Sequence, residues 1–276
     1  LPSYYRRQGG AVLSTAIDKC VYVTVSRKFD DAVRVSYSRT EEVATAAQVE
    51  HPIVREALGL LGIEGGIEIT SVADIPAKGT GLGSSSTFTV GLLNALHGYA
   101  GRHASAERLA EESCDIEINR CGEPIGKQDQ YAAAFGGFNF IRFHSDDSVE
   151  VQKILCRHET LEELQSMLMM FYTGITRSAS ALLAEQSANM VGEDEKIAAM
   201  DRMVASAEAV LGDLQANRLD TLGAALDESW QLKKSLAKGI SNPVIDEAYA
   251  AARAAGALGG KILGAGGGGF LLFMVP

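Results

Sequence analysis

Cysteine is scarce in this chain of 276 residues: four thiols stand at Cys20, Cys114, Cys121 and Cys156, and no two make a C-x-x-C pair. That spacing argues against a zinc site or a dithiol redox centre. Thiols this sparse suit a reducing compartment, each expected to be buried as a small apolar group. Positive charge is also short, with 25 Lys and Arg against 35 Asp and Glu and a formal net charge of −10. A general nucleic-acid or anionic-membrane binder would carry the opposite sign. No apolar run approaches the ~20 residues that span a bilayer, and no charged-then-apolar leader opens the chain. The expectation is a cytoplasmic, soluble protein with neither nucleic acid nor membrane among its partners. Internal repeats and low-complexity linkers are missing as well. At 46% hydrophobic and 22% charged residues, the composition is that of a globular protein with room for one large domain or two smaller ones.

Three familiar phosphate-binding signatures are absent too. The pattern G-x-x-x-x-G-K-[ST] has no lysine at the required place. Gly79-x-Gly81 would need glycine at 84 to complete the dinucleotide pattern, and position 84 is Ser84. Neither a V-A-I-K nor an H-R-D segment of the protein kinases occurs. What stands instead is Pro76-Ala77-Lys78-Gly79-Thr80-Gly81-Leu82-Gly83-Ser84-Ser85-Ser86. Glycines let backbone approach a ligand closely, and serines are expected to cap a helix starting near Thr87. A helix start offers N–H groups and a positive dipole end to a phosphate, and serine hydroxyls can reach a divalent cation held by that phosphate. Read alone, the same residues also make a plain glycine turn before a capped helix.

Around this loop the chain alternates strand and helix patterns. Residues 20–25 and 33–37 read as strands, 52–61 as a helix and 67–71 as a strand. Ser105 reads as a helix cap, and 138–143 as a strand. Further on, 167–172 reads as a strand, and apolar stripes over 197–214 and 219–230 as helices. Asn242-Pro243 is a cap followed by proline in the first turn. The strand-rich part gives way near 155–160, which suggests domains over 1–157 and 158–276.

Two more segments carry chemistry. Glu117-Ile118-Asn119-Arg120-Cys121-Gly122-Glu123-Pro124-Ile125-Gly126-Lys127-Gln128-Asp129-Gln130 sets Glu117 and Asp129 on either side of glycine-broken chain, with 126–130 read as a turn. Lys261-Ile262-Leu263-Gly264-Ala265-Gly266-Gly267-Gly268-Gly269-Phe270 is a glycine run leading into a strand. With the 76–86 loop, these stand in the order of the three motifs of the GHMP kinases, and the chain resembles that family over nearly its whole length. The spacer between Pro76 and the glycines is one residue longer than the family pattern.

The resemblance implies an α+β fold in two lobes, the first like ribosomal protein S5 domain 2 and the second ferredoxin-like. It implies ATP as phosphoryl donor with Mg²⁺, and a small-molecule acceptor. It places nucleotide phosphates on Gly79, Gly81, Leu82, Gly83, Ser84, Ser85 and Ser86, Mg²⁺ on Ser85 and Glu117, and the acceptor hydroxyl beside Asp129. Gly266 and Gly267 would lie near the substrate. The opening Leu-Pro-Ser-Tyr-Tyr, the Gly-Lys-Gln-Asp-Gln-Tyr stretch and Thr173-Gly174-Ile175-Thr176-Arg177-Ser178 are similar to the family's heptose kinase group. That group phosphorylates the anomeric hydroxyl of D-glycero-D-manno-heptose 7-phosphate, and Arg177 would meet the substrate phosphate. Fucose, galactose or mevalonate as acceptor remains open, as does a non-catalytic sugar or nucleotide sensor, and a homodimer is compatible with either. In the heptose group a Gly-Gly-Gly-Thr-Asp segment precedes Leu-Pro-Ser-Tyr-Tyr. The expectation is therefore a gene product longer than this chain at both ends, with the additional residues completing the acceptor site.

Overall fold

The structure is a computed structural model that describes residues 1–75, 79–176, 179–189 and 194–276. In chain order its elements begin with α1 (Pro2–Gln8), β1 (Gly10–Thr15), β2 (Val21–Arg27), β3 (Val33–Ser36), β4 (Thr40–Val43), α2 (Pro52–Leu61) and β5 (Ile67–Ala73). There follow α3 (Ser84–Tyr99), α4 (Ala106–Cys114), α5 (Gln128–Phe135), β6 (Phe138–Phe143), β7 (Val149–Lys153), α6 (His158–Met167) and β8 (Leu168–Tyr172). The chain continues through α7 (Ala179–Asn189), α8 (Asp194–Gln215), α9 (Leu222–Leu236), α10 (Pro243–Ala254), β9 (Gly259–Ile262) and β10 (Phe270–Met274). The α+β class expected from the sequence is the class observed.

The described residues form two compact units. One gathers 1–15, 79–82 and 137–276; the other gathers 16–75 and 83–136. This division does not follow a single cut at 157/158. The β6–β7 hairpin goes with the C-terminal helices because its buried faces pack there: Phe140 and Ile154 share one apolar cluster with Leu164, Val210, Leu214 and Met274.

The unit containing 16–75 and 83–136 is built on a four-stranded sheet in the order β2-β5-β3-β4. Strands β3 and β5 are parallel, so the chain between them must cross over, and it does so through β4 and α2. Alternation puts Val33, Val35, Ile67 and Ile69 on one face, all fully buried against Val54, Ala57 and Leu58 of α2 and Leu92, Leu93 and Leu96 of α3. Helix α2 starts on Pro52 and ends at Gly62, whose left-handed backbone closes it. This core fixes α3, and with it whatever the start of α3 presents.

The other unit holds two three-stranded sheets, β1-β6-β7 and β8-β10-β9. All their pairings are antiparallel. In the second sheet Leu271, Phe273 and Ile262 are buried, and the Phe273 ring lies 5.4 Å from that of Tyr249 on α10. Helix α10 is capped as its sequence suggested, with the Asn242 side chain accepting from the Ile245 N–H at 3.1 Å.

Several boundaries moved. Helix α1 occupies residues assigned to no element from sequence. Met167 closes α6, so the strand starts at Leu168. Leu219 precedes α9 and packs from the connection that leads into it. The cysteines divide as well: Cys114 is buried, Cys121 and Cys156 are partly so, and Cys20 is exposed, contrary to the expectation that all would be interior. Burial pushes the Cys114 thiol up to about 12. Among the described residues no helix is long and apolar enough to cross a membrane.

Candidate active site

The glycine and serine loop leads into α3, and its local geometry differs from the capping pattern expected. The N-cap of α3 is Gly83, in a left-handed conformation at φ 68°, and the helix begins at Ser84 rather than near Thr87. The three serines therefore occupy the first turn instead of capping it. A first turn leaves its leading N–H groups without intrahelical acceptors and carries the positive end of the dipole. Hydroxyls from that turn are free to point sideways, away from the cap.

Ser85 and Ser86 do so, toward a carboxylate. Ser85 Oγ donates to Glu117 Oε1 at 2.6 Å, and Ser86 Oγ donates to Glu117 Oε2 at 2.7 Å. A third donor, Gln130 Nε2, reaches Oε2 at 2.7 Å. Glu117 is 1% exposed, and Ser86 and Gln130 are equally interior. A buried carboxylate is tolerated only with such partners. The side chain is delivered by a π-helical turn, Asp115–Arg120, that continues directly from α4. Such wide turns re-aim side chains and recur at functional sites. Here the turn is pinned at its start, where Asp115 accepts from Arg120 Nε at 2.7 Å and from Asn119 Nδ2 at 2.9 Å.

Asp129 lies in the first turn of α5, exposed, one residue before the buried Gln130. Within the stretch 126–130, expected as a turn, this helix begins at Gln128. A Cβ added at Gly83 would sit 3.3 Å from the Asp129 Cβ, so the candidate base stands directly beside the start of α3. The structure thus brings Gly83, Ser85, Ser86, Glu117 and Asp129 together within one unit.

The preceding loop residues, 79–82, belong to the other unit, where the C-terminal glycine run surrounds them. Gly81 has φ 75°, and a Cβ there would fall 2.6 Å from the Leu263 carbonyl oxygen. Within the run itself Gly264 presses on Gly81 and Gly269 on Thr80, with no space for a side chain at either glycine. Lys233 Nζ on α9 donates to the Gly264 carbonyl. The far end of the run is tied to the Thr173-Gly174-Ile175 segment: Gly269 N–H donates to the Ile175 carbonyl at 2.8 Å, and Thr173 Oγ1 to the Gly269 carbonyl at 2.8 Å. Gly266 and Gly267 face elsewhere, against Ile240, whose carbonyl accepts from the Gly267 N–H at 2.8 Å. Arg177, with Pro76 and Lys78, lies outside the described residues.

Sequence reading did not single out Gln130, Ser86 as a partner of Glu117, Lys233 or the π-helical turn. The Gln-Asp-Gln triplet was the one available hint for Gln130, since neighbours on a helix point about 100° apart and one of them must turn inward.

The donor set suits a divalent cation that arrives with phosphates. A hydroxyl that gives its proton to a carboxylate keeps its lone pairs, so Ser85 Oγ and Glu117 Oε1 form a ready pair of oxygen ligands. Among the described residues no three His, Cys, Asp or Glu side chains converge as a metal cluster. Two protein oxygens completed by phosphate oxygens and water is the usual way Mg²⁺ is held.

Comparison with known proteins places the chain in a family. Residues 42–137 match the model of the GHMP kinases N-terminal domain, and residues 210–276 that of the GHMP kinases C-terminal domain. The chain is 34% identical over 203 residues to D-glycero-alpha-D-manno-heptose 7-phosphate kinase of Campylobacter jejuni; the alignment covers 74% of this chain and 59% of that protein. It is 30% identical over 275 residues to a mevalonate kinase of Thermococcus onnurineus, covering 97% of this chain and 77% of that one. Its structure superimposes on the crystal structure of a D-glycero-D-manno-heptose 1-phosphate kinase from Bacteroides thetaiotaomicron with a TM-score of 0.77 and 25% identity, covering 99% of this chain and 81% of that one.

Proposed function

Because the chain belongs to the GHMP kinase family, we propose that it is an ATP-dependent sugar kinase acting on the anomeric hydroxyl of D-glycero-D-manno-heptose 7-phosphate. The observation that carries the reading is the cluster at the start of α3: a serine and a buried glutamate fit to hold Mg²⁺, with an aspartate beside them. The heptose acceptor is supported by the Campylobacter relative.

In this reading Gly79, Gly81, Leu82, Gly83 and Ser84 to Ser86 surround the nucleotide phosphates, Ser85 and Glu117 hold Mg²⁺, and Arg177, Gly266 and Gly267 serve the acceptor. When bound, Mg²⁺ would neutralise charge on the phosphates. Phosphoryl transfer depends on positioning and charge neutralisation more than on covalent chemistry. Asp129 orients the acceptor hydroxyl and takes its proton as the oxygen bonds to the γ-phosphorus and the bridging P–O bond to ADP breaks. The family's two lobes would divide the chain at 1–157 and 158–276, and the protein would work in the cytoplasm.

A second reading has mevalonate as acceptor and is favoured by the Thermococcus relative, which aligns with nearly the whole chain. The test is Mg²⁺-dependent ADP release on the full-length protein with heptose 7-phosphate, fucose, galactose and mevalonate in parallel, with Asp129→Asn as control. Turnover confined to the heptose phosphate is expected, with the variant folded and slower by about two to four orders of magnitude. Turnover on mevalonate alone would select the second reading. An Asp129→Asn rate equal to wild type would remove the base assignment.

A further inference from the structure

We infer that Gln130 is a positioning residue for the metal-binding carboxylate: its side-chain N–H locks Glu117 in the orientation that leaves Oε1 available to a divalent cation. This rests on the reading of Ser85 and Glu117 as the cation's ligands.

The glutamine is fully buried in the first turn of α5. Its nitrogen lies 2.7 Å from Glu117 Oε2. Chemistry decides which amide atom faces the carboxylate. An oxygen in that place would set two acceptors against each other, so the nitrogen must point at Glu117. The Gln130 carbonyl oxygen is then turned away, and it is buried without a hydrogen-bond partner among the described residues. An apolar side chain of the same length would pack there without that cost. What distinguishes glutamine at 130 is therefore the bond it makes to Glu117.

That bond divides the work of the two carboxylate oxygens. Oε2 accepts from both Ser86 and Gln130, while among the described residues Oε1 accepts from Ser85 alone. Oε1 is thus the oxygen with capacity left, and it is the one joined to the serine that would share the cation. The two donors on Oε2 prevent the carboxylate from rotating to exchange its oxygens. Because Gln130 follows Asp129 on the same turn, the contact also fixes the rotation of α5 about its axis and hence the direction in which Asp129 projects.

The experiment measures nucleotide affinity with and without Mg²⁺ by titration calorimetry on wild type, Gln130→Met, Gln130→Asn and Glu117→Gln, with kcat and KM followed separately. Gln130→Met keeps length and removes the donor; Gln130→Asn keeps the amide but shortens its reach. Partners that orient a metal ligand typically change metal affinity 10- to 100-fold. The expected result is a loss of roughly that size in the Mg²⁺-dependent part of nucleotide affinity for Gln130→Met and a smaller one for Gln130→Asn. Metal-free affinity should stay at the wild-type value, and kcat should fall more than KM rises. Equal loss of metal-free and Mg²⁺-dependent binding would mean a structural role only and overturn the inference, as would no loss in either variant. If Gln130→Met does not fold, Gln130→Asn decides alone. If Glu117→Gln loses the Mg²⁺ effect while both Gln130 variants keep it, the ligand reading stands and the inference falls. If Glu117→Gln also keeps it, or wild type shows no Mg²⁺ effect, both fall.

Discussion

The two parts of the glycine and serine loop are held in opposite ways. From Gly83 onward the order comes from polar side chains, with Ser85, Ser86 and Gln130 converging on one buried glutamate. At 79–82 it comes from the absence of side chains, since Gly81, Gly264 and Gly269 let backbone rest on backbone. The first arrangement is specific because each donor satisfies a particular acceptor, and it adapts when a donor is lost. The second cannot adapt, because the obstacle to a side chain is main chain, which has nowhere to go.

That contrast ranks the expected effects. Gly81→Ala should be the more damaging. An alanine at φ 75° costs about 1–2 kcal/mol for its left-handed backbone alone. Its Cβ would also meet the Leu263 carbonyl oxygen at 2.6 Å, so denaturant unfolding should register a total of about 3 kcal/mol or more. Nucleotide affinity should fall with it. Ser86→Ala should cost less, about 1 kcal/mol, because Glu117 Oε2 retains Gln130 as a donor. A Ser86→Ala variant less stable than Gly81→Ala would reverse the comparison.

A smaller effect probes the unit that holds 79–82, away from its glycines. The Thr221 hydroxyl, and then Arg218, hold the Asp213 carboxyl below its ordinary value of 3.8 where α8 turns toward α9. A depressed folded-state value means the contribution is complete above 3.8 and is lost as pH falls through the folded value. Hydrogen exchange at the end of α8 should therefore accelerate on that acid side, and Asp213→Asn should exchange with little of this pH dependence.

Much of the local structure was legible in the chain. Pro52 and Gly62 bracket α2 by rules that need no tertiary contact, and Asn242-Pro243 announces α10 in the same way. The order of the three glycine-bearing motifs pointed to the family, because close approach of backbone to phosphate demands glycine wherever it occurs. Errors fell where local signals were ambiguous. Serines after glycine look like caps, yet Gly83 took the cap. Gly-Lys-Gln-Asp-Gln looks like a turn, yet α5 begins inside it.

The resemblance to the family carried the α+β class, and the sequence by itself determined the starts of α2, α4 and α10 and the kinds of residue that could hold phosphate, metal and a proton. Those follow from backbone preferences and side-chain chemistry, which act within a few residues. Only the tertiary structure decided that Glu117 is buried, that its partners come from 32, 31 and 13 residues away, and that Gly264 and Gly269 rather than Gly266 and Gly267 meet the first loop. The reason is physical. A buried polar group is stable only when distant donors are delivered to it, and that delivery depends on how the packed core of α2, α3 and the β2-β5-β3-β4 sheet orients α3.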